Sequence, residues 1–254
     1  MSKNFELLSQ IGRTEVLHRP DEPQVFLDEP ALGPVAPAAA IDLTVHGAVR
    51  DEVVKLVRNL FFVPGENAPR RVVFTGTESG TGCSWICAHA AEFLASQVHG
   101  TICVVDCNLR APRLQARFQV PDQYGLTDAL LGSGSIRQYL QRVSGSNLWL
   151  LSAGSAQANQ QTLLASDTMR SRLAELYAQF DYVLLDVASL NNSNDAIALG
   201  SGADGVVLVL REKSSRRETA RKALQDLRDA KVQPLGVVLN QRTFPIPRAI
   251  YKLF

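Results

Sequence analysis

Six short apolar runs limit this chain's fold more than any other feature, because none of them alternates with polar residues. They are residues 71–75 (RVVFT), 101–106 (TICVVD), 148–151 (LWLL), 182–186 (YVLLD), 205–210 (GVVLVL) and 235–239 (LGVVL). A strand with one wet face alternates apolar and polar side chains, whereas an unbroken run is buried on both faces. Between these runs lie stretches of helical period. Residues 51–62 carry Val53, Val54, Val57, Leu60 and Phe61, and Pro64-Gly65 stops them. Residues 83–98, 169–179 and the charged 214–230 read as three further helices. Buried strands alternating with helices predict an α/β fold, a doubly wound and mostly parallel sheet with helices on both faces.

Ligands of such a sheet bind beyond the carboxyl ends of its strands, and three of those ends carry chemistry. The first is Thr75-Gly76-Thr77-Glu78-Ser79-Gly80-Thr81-Gly82-Cys83-Ser84. Its glycines let backbone N–H groups turn inward around an anion, and the helix that follows adds its positive end. Ser84 stands where the hydroxyl of a P-loop holds magnesium, but Cys83 stands where that pattern has lysine and Thr77 where it prefers glycine. A plain Gly-rich turn without ligand fits the same residues. The second end is Asp106 with Asn108 two residues on, and a carboxylate that only caps the next turn fits it equally. The third is Asp186, after an apolar strand, with Asp195 nine residues later. A carboxylate at the tip of a buried strand needs a partner or a cation. The three ends in this chain order say more than any one alone.

The remaining sequence narrows the function. With 26 Lys+Arg against 25 Asp+Glu, the net charge of +1 gives no field that would hold nucleic acid or anionic lipid. No run is long enough to span a bilayer, and no secretory leader pattern opens the chain, so a cytoplasmic protein is expected. Residues 1–45 hold five of the 12 prolines and read as a disordered arm. Residues 46–244 then form the one domain and 245–254 an apolar, basic tail too short to bind a membrane alone. The four cysteines are spaced Cys83/Cys87 and Cys103/Cys107, and a chain of this kind is not expected to pair them as disulfides. A thiol at a helix N-terminus favours its thiolate, and the four could converge near the loop as a redox or metal site; Cys87 and Cys103 also read as small buried apolar residues. The histidines show no ligand spacing.

Together these residues resemble the cytoplasmic domain of bacterial tyrosine kinases of polysaccharide biosynthesis, within the MinD/ParA-like P-loop superfamily. The resemblance covers roughly residues 46–240. It rests on the Gly-rich loop and on Val105-Asp106-Cys107-Asn108-Leu109-Arg110, similar to the family's I-D-A-D-L-R. Gly125-Leu126-Thr127-Asp128-Ala129-Leu130 with Gly132, Leu163-Leu164-Ala165-Ser166 with Met169, and the strands 148–154, 181–186, 204–209 and 236–240 add to it. It implies ATP and magnesium as cofactors. Gly80, Thr81, Gly82, Cys83, Ser84 and Asn240 would contact nucleotide, with Ser84, Asp106 and Asp186 around magnesium and Asp106 as base toward a tyrosine hydroxyl. It also implies a ring of copies built on the first helix, where Glu52, Lys55 and Arg58 follow the family's E-x-x-R-x-x-R spacing. A solvated face with intrahelical pairs fits those three as well. The implied partner is the cytoplasmic end of a membrane polysaccharide co-polymerase.

The departures fall on the catalytic parts. Lysine is lost at 83, the second aspartate at 108, and Tyr251 is the one tyrosine in the last 70 residues. A charge-assisted bond to phosphate contributes roughly 1.5–3 kcal/mol, so its loss weakens nucleotide binding about 10- to 150-fold. One missing donor to transition-state charge slows transfer by about 10²–10³. The expectation is a tyrosine-kinase-like regulator of exopolysaccharide synthesis and export with weak or absent phosphotransfer. The alternatives are an active autokinase with an unusual loop and a ParA/MinD-like positioning ATPase. Arg110, or a basic residue of a neighbouring copy, could stand in for the lysine.

Overall fold

The computed structural model describes residues 47–63, 68–121, 123–143, 145–155 and 160–241. The expected arm, the tail and the Pro64-Gly65 stop lie outside the described residues. Seven strands form one sheet: β1 (Arg71–Gly76), β2 (Ile102–Asp106), β3 (Gln141–Arg142), β4 (Leu148–Leu151), β5 (Tyr182–Asp186), β6 (Gly205–Arg211) and β7 (Pro234–Asn240). Their order is β3-β4-β2-β5-β1-β6-β7, and every pairing is parallel except β3 with β4. The six apolar runs are therefore the six parallel strands. The antiparallel edge β3 was not legible, because two polar residues carry no periodicity.

Eight helices accompany them among the described residues: α1 (Gly47–Phe61), α2 (Cys83–Gln97), α3 (Leu114–Phe118), α4 (Leu126–Leu131), α5 (Gln160–Leu164), α6 (Asp167–Gln179), α7 (Asp195–Gly200) and α8 (Arg217–Asp229). The four long ones are those expected from the 3.6-residue period. The short α3, α4, α5 and α7 span less than two turns and leave no period to read.

Strand alternation sorts the core into two layers. Val72, Phe74, Ile102, Val104, Leu184, Val207 and Val209 face one side and pack under α1, α2 and α3. Val73, Cys103, Val105, Val183, Leu185 and Val206 face the other and pack under α4 to α8. Each fully buried aliphatic side chain contributes roughly 1.5–3 kcal/mol, so both faces hold the sheet. This sorting matters for function: Asp106 and Asp186 share the parity of Val104 and Leu184. Both carboxylates thus project on the α2 side, where the Gly-rich loop enters its helix.

Candidate functional site

The loop between β1 and α2 is held from three sides. The segment after β5 donates from Leu190 N to Gly76 O (3.0 Å) and from Asn191 N to Thr77 O (3.2 Å). Asn192 Nδ2 donates to Ser79 Oγ at 2.9 Å. From the β6 side, Ser214 Oγ (3.2 Å) and Ser215 Oγ (3.0 Å) donate to Glu78 Oε1. From the tip of β7, Asn240 Nδ2 donates to Thr81 O at 2.8 Å. Gly80 and Gly82 adopt φ +83° and +82°, the left-handed conformation that turns successive amides to one side. A Cβ at Gly82 would also collide with the Asn240 amide. Among the described residues, the amide N–H groups of residues 78–85 donate no hydrogen bond of ordinary geometry. A loop this well anchored, with its donors left over, is shaped for an anion at the positive end of α2.

The two strand-tip carboxylates differ although they stand side by side in register and are both fully buried. Asp106 is satisfied: Oδ1 accepts from Asn108 N (3.2 Å), and Oδ2 from Arg113 N and Leu114 N (3.0 Å each). It therefore caps the turn into α3. Burial raises its pKa to about 6 against the pull of those three amides. Three N–H groups leave a carboxylate about one acceptor position of its four. Asp186 has no such support. Burial, and then the charge of Asp106, raise its pKa from 3.8 to about 8. The Ser84 hydroxyl and Cys83 thiol lie beside it and pull the other way, yet neither of its oxygens has a hydrogen bond of ordinary geometry.

Six buried side-chain N and O atoms lack a partner among the described residues, and four of them lie on one short segment: Asp186 Oδ1, Asp186 Oδ2, Ser189 Oγ and Ser193 Oγ. Folded proteins seldom leave such atoms unpaired, so a cluster of them marks a place for a ligand or ion. No group of three or more His, Cys, Asp or Glu among the described residues could hold a metal alone. Magnesium does not need one, since it takes one or two carboxylates plus phosphate and water. The orphaned Asp186, with Ser84 beside it and the spare position on Asp106, fits that ion.

The cysteines require a correction. The Cys83 thiol is pushed well above its ordinary value, first by burial and then by the charge of Asp186. The thiolate expected from the helix end is thus suppressed, because a buried anion beside a carboxylate is worse than the helix dipole is favourable. Nor do the four form a metal-holding group among the described residues. Cys87 lies in the layer under α2, while Cys103 and Cys107 lie in the layer on the opposite face of the sheet. All four are free thiols.

The other expected positions fall as follows. Gly80 is exposed, Thr81 buried, and Gly82, Cys83 and Ser84 half-buried along the loop. Asn240 reaches the loop from β7 and positions it. Arg110 is exposed at the turn after β2. Glu52, Lys55 and Arg58 are exposed on one face of α1, with Lys55 Nζ 2.9 Å from Glu52 Oε1. His89 is buried, stacked on Trp85 and bonded at Nδ1 to Trp85 O (2.9 Å), a packing role. Sequence reading missed Ser189, Ser193 and the Ser214–Ser215 clamp on Glu78. One signal existed for the clamp: residues 211–218, rich in charge and hydroxyls, follow a strand that ends on the loop's own side of the sheet.

No family model matches the chain. It is 30% identical over 201 residues to the tyrosine-protein kinase YwqD of Bacillus subtilis, covering 79% of this chain and 84% of that protein. It is 25% identical over 190 residues to the tyrosine-protein kinase wzc of Salmonella typhi, covering 74% of this chain and 26% of that protein. Among solved structures, the chimerical protein CapA2B2 superposes with a TM-score of 0.71 at 23% identity, over 76% of this chain and 85% of that one. A ParA family ATPase from Chlorobium tepidum superposes with a TM-score of 0.55 at 19% identity, over 68% and 75%. The doubly wound P-loop architecture is the one these folds share.

Proposed function

Because the chain belongs to the family of bacterial tyrosine-protein kinases, we propose that it binds magnesium-ATP in the β1–α2 loop and acts as a regulator whose phosphotransfer is weak. The observation that carries this reading is the orphaned Asp186 beneath a loop of unpaired amides. The amides of residues 78–85 would hold phosphate oxygens, with Gly80 and Gly82 shaping the curve. Ser84 and Asp186 would hold magnesium, with Asp106 at its remaining position. The ion supplies positive charge against the phosphate oxygens. Asp106, with its pKa near 6, is ionised at neutral pH, and its one spare acceptor position serves either the ion or a tyrosine hydroxyl proton. Its three amide bonds fix its direction and temper its basicity.

Weakness follows from position 83. The thiol there stays neutral and lends no charge to phosphate from the start of α2. The biological reading is control of extracellular polysaccharide synthesis and export from the cytoplasmic face, through a membrane co-polymerase and copies of this chain. The exposed Glu52, Lys55 and Arg58 offer the surface for the copies, and light scattering on their triple alanine variant reads it as a loss of molar mass. No helix among the described residues is long and apolar enough to cross a membrane, so recruitment there would run through the partner.

Calorimetry with magnesium-ATP and a phosphotyrosine blot test the reading together. Weak binding, lost in Asp186→Ala and strengthened about 10- to 150-fold in Cys83→Lys, is the expected outcome. Strong Tyr phosphorylation abolished by Asp106→Ala would replace it with an active autokinase, and no binding at all with a scaffold.

A further inference from the structure

The geometry points to Arg211 as the cation that serves the β1–α2 loop in place of the lysine missing at 83. This rests on the nucleotide reading above and names the residue that completes its site. Arg211 is the last residue of β6, the strand hydrogen-bonded between the loop-bearing β1 and β7. In register Val209 stands opposite Gly76, which places Arg211 two residues further on, level with the loop itself. Its partner on β7 is Asn240, whose amide already touches Thr81 O.

Parity sets the side. Val207 and Val209 both lie in the layer under α1 and α2, and Arg211 continues their alternation. It therefore leaves the sheet on the face where α2 begins and where Asp106 and Asp186 project. Its backbone is fixed there: Ser215 Oγ accepts from Arg211 N at 3.0 Å, while Arg211 O accepts from Ser214 N (3.3 Å) and Ser215 N (3.0 Å). The same two serine hydroxyls donate to Glu78 of the loop. Glu78 is thereby engaged by hydroxyls. No ion pair among the described residues uses Arg211, and its side chain is exposed.

A guanidinium in this position can give a polyphosphate the forked pair of N–H donors that an ammonium cannot. The chemistry it would recognise is the phosphate chain of a nucleoside di- or triphosphate, not the base. It approaches from the β6 side, whereas residue 83 approaches from the start of α2. The two positions are therefore separate, and a charge at either one adds to binding.

The test is isothermal titration of the full chain with magnesium-ATP and with magnesium-ADP, for wild type, Arg211→Gln, Arg211→Lys, Arg217→Gln, and Arg211→Gln combined with Cys83→Lys. Arg211→Gln is expected to weaken both nucleotides about 10- to 150-fold, with an unchanged melting temperature. Arg211→Lys should retain most of the affinity, and Arg217→Gln, on the exposed start of α8, should stay within about twofold of wild type. Adding Cys83→Lys should restore binding to Arg211→Gln. If wild type binds and Arg211→Gln binds equally well, the assignment of Arg211 is wrong while the nucleotide reading stands. If wild type binds neither nucleotide, both fall together.

Discussion

Two places along the carboxyl edge of the same sheet carry motifs that resemble those of the kinase family, and the two rims are finished in opposite ways. At the end of β4, Asp128 Oδ2 accepts from Gly125 N (2.8 Å) and Ser155 N (3.2 Å). Thr127 Oγ1 donates to Ala153 O (3.0 Å) and Ser155 O (2.8 Å). Gly125 lies so close to the backbone of Ser152 and Gly154 that any Cβ would collide. This rim closes on itself, and its Gly-Leu-Thr-Asp motif is a clasp between the start of α4 and the tip of β4. At the ends of β1 and β5, the side-chain oxygens of Asp186, Ser189 and Ser193 are buried without hydrogen-bond partners, and the loop above them leaves its amides over. A motif that resembles the family's is thus a structural clasp in one place and an open site in the other. Hydrogen-bond satisfaction separates them.

The sharpest way to break the contrast is to neutralise one aspartate on each rim. Asp128→Ala removes a carboxylate that two amides depend on, and it should destabilise the fold by about 1.5–3 kcal/mol. Chemical denaturation reads this as a lower midpoint at unchanged slope.

Asp186→Asn should do the reverse. Its carboxyl titrates near 8 when folded but near 3.8 in the unfolded chain. Between those values the folded state holds the extra proton, so stability falls as pH rises through this range. In EDTA the variant should melt above wild type by an amount corresponding to about 1–3 kcal/mol at pH 9. Below about pH 3 the difference should vanish, because both states of wild type are then largely protonated. Magnesium should raise the melting point of wild type at pH 9 and leave the variant unmoved. A variant that melts below wild type at pH 9 in EDTA would mean that Asp186 already has a partner in the folded chain.

The smallest expected effect lies within the open rim. Gly80→Ala and Gly82→Ala both force a side chain into positive φ, at roughly 1–2 kcal/mol each. Only Gly82→Ala also displaces the Asn240 amide, since nothing lies within 4 Å of a Cβ at Gly80. Gly82→Ala should therefore be the more destabilising of the two in thermal melts, and equal values would mean that Asn240 does not hold the loop.

Much of this was legible in the residues alone. The six apolar runs are the six parallel strands because burial on both faces is a local compositional demand that each strand meets by itself. The Gly-rich loop, Asp106 and Asp186 were found for a similar reason: a strand that must stay apolar shows a carboxylate at its tip plainly. What stayed hidden depended on neighbours distant in sequence. Asp106 and Asp186 are the same residue type after the same kind of strand. Only the turn into α3, which brings Arg113 N and Leu114 N to one of them, makes the first a cap and leaves the second bare. Cys83 sits at a helix start that promises a thiolate, and only the burial of its thiol beside Asp186 reverses that. Composition and pattern set which segments are buried and where chemistry gathers, because those are properties of short stretches of chain. Which carboxylate is satisfied, which thiol is silent and which arginine stands beside the loop were decided by strand order and register, because these bring together groups that no local pattern connects.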